Sequence, residues 1–438
     1  MRPAWCLVLL FCAACLDNAG PEDFPAQEIR VLSAPEGPRF PTDTLDSVVA
    51  VQVMDERGNP SPGRPVAWSA THGGLLLAAS DVTDAHGVAR AVWILGVVPG
   101  TQTATATVTS SDLSISIPVE TAGWRVAAVS ASRGNHACAI DLAGETYCWS
   151  GSLSATPVRI ESTARFRALA TGQRHTCGLT ETGRVYCWGS NDAGQLGDGT
   201  TLDRSVPAGP LLPDMAFRSV VAGDASTCAL ATTGVAWCWG GNRLGILGRG
   251  FASEFEATPA PVVGGPAWRA ISISGWATCG IDFGRRVYCW GEDDQDGPAI
   301  LSPTPVEDFQ ADTVALSDWA KCALSLATLY CWGSDSGIDS PRIMGPRMTS
   351  ISAGYKPIFG LGADGFGYYW GAVPNSSYGW GDPPTRFEGD LRFRAVGGND
   401  YAPLAIELET STLYQWSGYQ FDAVRRPLTP TPVRPPGS

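Results

Sequence analysis

One recurring phrase limits what this chain can fold into. It occurs five times with two cysteines in each copy: SRGNHACAIDLAGETYCWS (132–150), TGQRHTCGLTETGRVYCWG (171–189), AGDASTCALATTGVAWCWG (222–240), SGWATCGIDFGRRVYCWG (274–291) and DWAKCALSLATLYCWG (318–333). Two copies without cysteine follow, AGYKPIFGLGADGFGYYWG (353–371) and GGNDYAPLAIELETSTLYQWSG (397–418). Successive first cysteines stand 39, 51, 51 and 43 residues apart. A period of about 40–50 residues built of short β-runs is that of propeller blades. Seven copies predict seven blades, in a ring that leaves few sheet edges open.

The cysteines carry the clearest chemistry. Ten of the 13 fall into pairs nine or ten positions apart across a turn: Cys138/Cys148, Cys177/Cys187, Cys228/Cys238, Cys279/Cys289 and Cys322/Cys331. Facing residues of a hairpin lie about 4.5–5.5 Å apart at Cα, within reach of a disulfide. Copies 6 and 7 lose both partners together, to Phe359 and Tyr369 in one, and to Leu404 (or Pro403) and Gln415 in the other. Joint loss is what bonded pairs predict. A zinc site is the rival reading. It needs ligands at fixed short spacing, yet there is no C-x-x-C, and the histidine before the first cysteine (His136, His175) becomes Ser226, Ala277 and Ala320 in the next copies. No metal is expected.

Each copy also ends in a tryptophan: Trp149, Trp188, Trp239, Trp290, Trp332, Trp370 and Trp416. The two-residue period of a strand puts it on the face opposite the cysteine. Each blade is thus expected to have a disulfide face and an aromatic face, with the tryptophans as repeat core between blades; an aromatic binding rim is the alternative. Pro-containing runs follow several copies (Thr156-Pro157-Val158, Pro261-Val262, Pro303-Thr304-Pro305-Val306, Pro430-Thr431-Pro432-Val433).

The motif HTCxLxxxGxVYCWGxNxxGQLGxG, best kept in copies 2 and 3, resembles the regulator of chromosome condensation repeat family. The resemblance spans 123–434, leaves a tail at 435–438, and implies a seven-bladed β-propeller. It says little of function, since that family ranges from a nuclear exchange factor to a secreted inhibitor of β-lactamases. Ahead of it, 28–122 lack cysteine and alternate short β-runs with turn clusters such as Asp55–Pro60 and Thr83–Gly87. The segments VQVMDERGNPSPGRPVAW (51–68), DVTDAHGVARAVWILG (81–96) and PGTQTATATV (99–108) resemble a bacterial immunoglobulin-like domain of the invasin type, which implies a spacer. Trp68 and Trp93 are expected in its core, with His72 and His86 on solvent-facing turns.

The first residues read as a targeting segment. Met1-Arg2 precedes an apolar run, Ala4 to Ala14, too short to cross a bilayer as a helix. The run ends in Cys12-Ala13-Ala14-Cys15, which resembles the lipobox of bacterial lipoproteins, with Cys12 where leucine is usual. The resemblance implies a signal peptide at 1–14, a lipid on Cys15, and export to the outer membrane or cell surface, on either side of it. Residues 15–27 read as a flexible tether.

The expected fold class is therefore all-β, an immunoglobulin-like β-sandwich followed by a seven-bladed β-propeller with intra-blade disulfides. A net charge of −13 argues against nucleic acid as a partner. No nucleophile elbow, P-loop, dinucleotide fingerprint or His-Glu-x-x-His is present, so no catalytic residue and no cofactor is expected. GEDDQDG (291–297) faintly resembles a calcium loop but occupies the place of an inter-strand loop. The reading is a monomeric, non-catalytic binding protein for a protein or polymer at the cell envelope, held to the membrane only by its lipid. The alternatives are a structural envelope component, or an enzyme or enzyme inhibitor acting through propeller loops. Loop length varies most between copies, so Asn242–Phe255, Glu292–Leu301 and Tyr378-Gly379-Trp380 are the expected contact loops.

Overall fold

The computed structural model describes residues 25–34, 49–71, 74–78, 81–95, 100–111, 113–121, 123–132, 136–150, 157–291, 299–318, 320–333, 338–343, 345–354, 357–370, 384–387, 389–398, 403–416 and 431–433. Cys15, His72, the acidic 292–297 segment and Tyr378-Gly379-Trp380 lie outside them. Among the described residues every regular element is a β-strand, and the chain divides into two compact units near Glu120.

The first unit is a sandwich. Ala26–Ser33, Val49–Asp55, Val88–Ile94 and Leu75–Ala78 form one antiparallel sheet, in that order across it. Val66–Ala70, Gly100–Val108 and Ser114–Thr121 form the other. Its first strand begins at Ala26, two residues ahead of the boundary at 28, so the extended chain read as tether ends sooner. Alternation explains the core: Val49, Val51 and Val53 meet Ala104, Ala106 and Val108 around Trp93, which is fully buried, while Trp68 is half-buried beside them. The turn residue Asp84 accepts a hydrogen bond from Arg90 and from the amides of Val88 and His86, which together hold its carboxyl down at about 2. His86 is exposed.

The second unit holds seven four-stranded antiparallel sheets in sequence order. Blade 2 is typical, with Phe166–Thr171, His175–Thr180, Val185–Gly189 and Arg204–Leu211 running from the inner strand to the outer. The Pro-containing runs become outer strands, such as Phe255–Pro261 and Ile300–Gln310, where a missing N–H costs least. The five cysteine pairs face each other across the second and third strands and are bonded, with Cα atoms 4.0–4.1 Å apart. In blade 6 the same register pairs Phe359 with Tyr369, and in blade 7 it pairs Leu404, rather than Pro403, with Gln415.

The seven tryptophans are all buried, each against the preceding blade. Trp188 packs on Cys138–Cys148, Trp239 on Cys177–Cys187, and Trp290 on Cys228–Cys238. Trp332 and Trp370 share a cluster with Cys279–Cys289 and Cys322–Cys331. Trp416 meets Phe359, and Trp149 meets Leu404. The disulfide face of one blade is thus the floor for the aromatic face of the next.

The ring closes with the bonds used between consecutive blades. The amide opening an inner strand donates to the hairpin turn of the preceding blade: Phe217 to Gly183 O (2.8 Å), Trp268 to Gly234 O (2.7 Å), Phe393 to Gly365 O (2.9 Å). Val126 of blade 1 donates to Ser411 O of blade 7 in the same way (3.0 Å). A register shift after the first residue of several inner strands turns an arginine outward. Arg167 reaches Arg218 O (2.8 Å) and Arg218 reaches Trp268 O, while Arg394 of blade 7 reaches Val126 O of blade 1 (2.6 Å).

Closing a loop of ten residues limits the unfolded chain by about 2–3 kcal/mol. Removing the buried pair with Cys228→Ala/Cys238→Ala is expected to lower unfolding stability by at least that amount in denaturant titration. An unchanged midpoint would mean the bond constrains nothing.

Candidate interaction face

Up-and-down strand order sends the turn between the first and second strands, and the loop between the third and fourth, to the same face of the ring. That face is built on two loops of similar sequence, Asn191-Asp192-Ala193-Gly194-Gln195-Leu196-Gly197 and Asn242-Arg243-Leu244-Gly245-Ile246-Leu247-Gly248. The asparagine of each is buried and clips the loop on itself. Asn191 Oδ1 accepts from Leu196 N (2.9 Å) while Nδ2 donates to Thr200 O (3.0 Å); Asn242 does the same with Leu247 N (3.2 Å) and Phe251 O (3.1 Å).

The clipped loop aims one carbonyl at the next blade. Gln195 O accepts from Thr227 Oγ1 (3.0 Å) and Trp239 Nε1 (2.9 Å), both of blade 3. Ile246 O accepts from Thr278 Oγ1 and Trp290 Nε1 of blade 4, each at 2.8 Å. Gly197 and Gly248 have φ of +71° and +64°, and a Cβ on either would fall 2.6–2.7 Å from the indole nitrogen. Only glycine fits there. Asn242, Ile246 and Leu247 are therefore packing residues, not free contact residues, while Arg243, Phe251, Glu254 and Phe255 of the same segment are exposed.

The histidines join this latch. Thr227 gives its hydroxyl proton to Gln195 O, so His175 Nε2–H donates to Thr227 Oγ1 (2.9 Å). His136 Nε2 stands 2.7 Å from Thr176 Oγ1 in the equivalent place. Burial holds the imidazoles at about 3 and about 4, far below the ordinary value.

Two openings lie inside this frame. The inner strands enclose a cavity of about 270 Å³ lined by hydroxyls such as Ser130 and Thr171, by aliphatic side chains such as Leu169 and Ile271, and by the carboxylates Asp224 and Asp318. A second cavity of about 570 Å³ lies on the loop face between blades 2, 3 and 4. Its walls include Asp192, Asp224, Arg243, Glu254, Phe255 and Trp276. Trp276 is 46% exposed and Phe255 is 37% exposed. Trp276 sits on the turn into the second strand of blade 4, where blades 2 and 3 have Arg174 and Ala225. Copy 5 carries a tryptophan at the equivalent place, Trp319, so the Trp-Ala-x-Cys spelling shared by copies 4 and 5 was the signal available in the sequence.

Comparison with known proteins agrees with this architecture. Residues 166–195 and 217–246 match the model of the Regulator of chromosome condensation (RCC1) repeat, as do 182–230. Residues 43–120 match the Bacterial Ig-like domain (group 1). The chain is 26% identical over 310 residues to the mitochondrial RCC1 domain-containing protein RUG3 of Arabidopsis thaliana, covering 60% of this chain and 68% of that one. It is 27% identical over 188 residues to the mouse E3 ubiquitin-protein ligase HERC2, covering 37% of this chain but 4% of that protein. Among solved structures, human WBSCR16 superposes with a TM-score of 0.55 (14% identity; 65% of this chain, 87% of that one). Yeast RCC1 (Prp20), solved with Kap60, gives 0.54 (20% identity; 66% and 83%). These likenesses establish the propeller fold.

The buried imidazoles set a pH dependence. The unfolded chain takes up protons below about pH 6.5, whereas the folded rings stay neutral down to about 4 and about 3. This stability is complete above the unfolded value and is lost as pH falls through that window. The unfolding temperature is expected to drop from pH 7 towards pH 4, and His175→Gln to flatten the drop. An unchanged slope in the variant would place the proton uptake elsewhere.

Proposed function

With a seven-bladed propeller of RCC1-type repeats behind an immunoglobulin-like domain as the premise, we propose that this chain is a lipid-anchored, non-catalytic binding protein of the cell envelope. Cys15 carries the lipid, the sandwich acts as spacer, and the loop face of blades 2–4 grips a protein partner. The observation that carries this is Trp276, a large ring left half in solvent that lines a ligand-sized groove together with Phe255. Exposed aromatics framed by a fixed scaffold are typical anchors of protein interfaces. The two described histidines of the propeller, the side chains best suited to acid–base work, are committed to threonines between blades. The solved structures of similar fold include yeast RCC1 bound to Kap60, and Prp20p, studied for binding to Gsp1p and histones; those partners are proteins.

Two measurements check this. Oxidised chain 16–438, immobilised and exposed to solubilised envelope proteins, is expected to retain a protein that the Trp276→Ser bait retains about tenfold less, a loss usual for an aromatic anchor. Identical retention by both baits would contradict the assigned face. Cys15→Ser is expected to abolish incorporation of labelled palmitate in cells, and label persisting in the variant would overturn the anchor.

A further inference from the structure

We propose that the groove between blades 2, 3 and 4 binds an extended peptide segment in which arginine or lysine flanks one aliphatic or aromatic side chain. This rests on the loop face being a protein-binding surface, and it names the chemistry of what binds.

Charge is the first argument. The ionisable groups lining the groove are three carboxylates, Asp192, Asp224 and Glu254, against one guanidinium, Arg243. Arg243 is matched by Glu254 at 3.0 Å, and both side chains are more than two-thirds exposed. Such a pair contributes little in water, so an incoming cation can open it. Asp192 accepts from Gln195 Nε2 (2.9 Å), which fixes the carboxylate without cancelling its charge. Gly275, next to Trp276, donates its amide to Asp318 of the inner cavity (2.8 Å), and a Cβ on it would fall 2.7 Å from Asp224 Oδ2. The turn that presents Trp276 thus runs between two carboxylates.

Shape and surface are the second argument. The groove measures about 570 Å³ and includes Trp276 and Phe255, both open to solvent. That volume is enough for one large side chain and the stem of a cationic neighbour, and an open indole face beside carboxylates suits a guanidinium by cation–π attraction. The same potential repels acidic peptides and nucleic acid. The site is rigid, since Gln195 O and Ile246 O tie the loops on both sides to the next blade.

The test is a random dodecapeptide library displayed on phage, panned on oxidised chain 16–438, with selected peptides remade and measured by fluorescence polarisation. Selected peptides are expected to carry arginine or lysine beside an apolar residue. Their affinity is expected to fall about tenfold with Trp276→Ser, several-fold with Asp192→Asn/Glu254→Gln, and steeply between about 0.05 and about 0.5 M salt. Trp276→Phe, which keeps a ring, is expected to retain most of the binding, and unfolding curves matching the parent establish that the variants fold. Trp276-dependent peptides that are neutral or acidic would overturn the charge assignment while leaving the face as a protein-binding surface. No Trp276-dependent peptide, or binding confined to immobilised glycans, would overturn both.

Discussion

Everything in the propeller depends on how one blade holds the next. A four-stranded sheet alone exposes two faces and two edges, and it becomes stable only when neighbours cover them. Here the cover is specific. The tryptophan of each blade lies on the disulfide, or on its apolar replacement, of the blade before it. Where the intervening loops are described, the indole N–H and a threonine hydroxyl converge on a single carbonyl, Gln195 O or Ile246 O. Two donors on one buried acceptor fix the angle between blades more firmly than apolar contact can, because a hydrogen bond is directional and its loss inside the protein is costly.

The same logic explains the rest of the face. The loop carbonyl can reach the next blade only if the chain turns sharply at Gly197 or Gly248 and is clipped by the buried Asn191 or Asn242. The histidines of copies 1 and 2 orient the threonines from behind. The buried asparagine, threonine and histidine of these loops and strands are engaged in this latch. Trp276 takes no part in it and is the largest exposed side chain lining the groove on the loop face.

Much of this was legible in the sequence, and the boundary is physical. The period, the five cysteine pairs and the inward tryptophans are regularities within a blade, between residues close in sequence, and the structure bears them out as disulfides and inter-blade core. The joint replacement of cysteines by Phe359 and Tyr369 reflects a real facing pair. The latch was not legible, because it joins residues 32 or 44 positions apart whose meeting depends on the angle between sheets. The segment Asn242–Phe255 therefore read as a recognition loop throughout, although its asparagine and its Ile246-Leu247 pair are buried. The shared spelling of residues 191–197 and 242–248 was the available clue. Trp276 stood in a turn whose composition varies among the copies, with Trp319 in copy 5 as its one counterpart.

The central claim is a division of labour: the tryptophan that ends each copy holds the ring, and Trp276, on the turn before the second strand of blade 4, is proposed to face outward for recognition. Calorimetry of Trp239→Phe beside Trp276→Ser tests it most directly. Trp239→Phe keeps the ring but removes the donor to Gln195 O, and its expected result is a propeller transition lowered by about 1–3 kcal/mol. Trp276→Ser is expected to leave that transition where it is. A Trp276→Ser variant destabilised as much as Trp239→Phe would show that Trp276 is part of the ring's packing and would contradict the division.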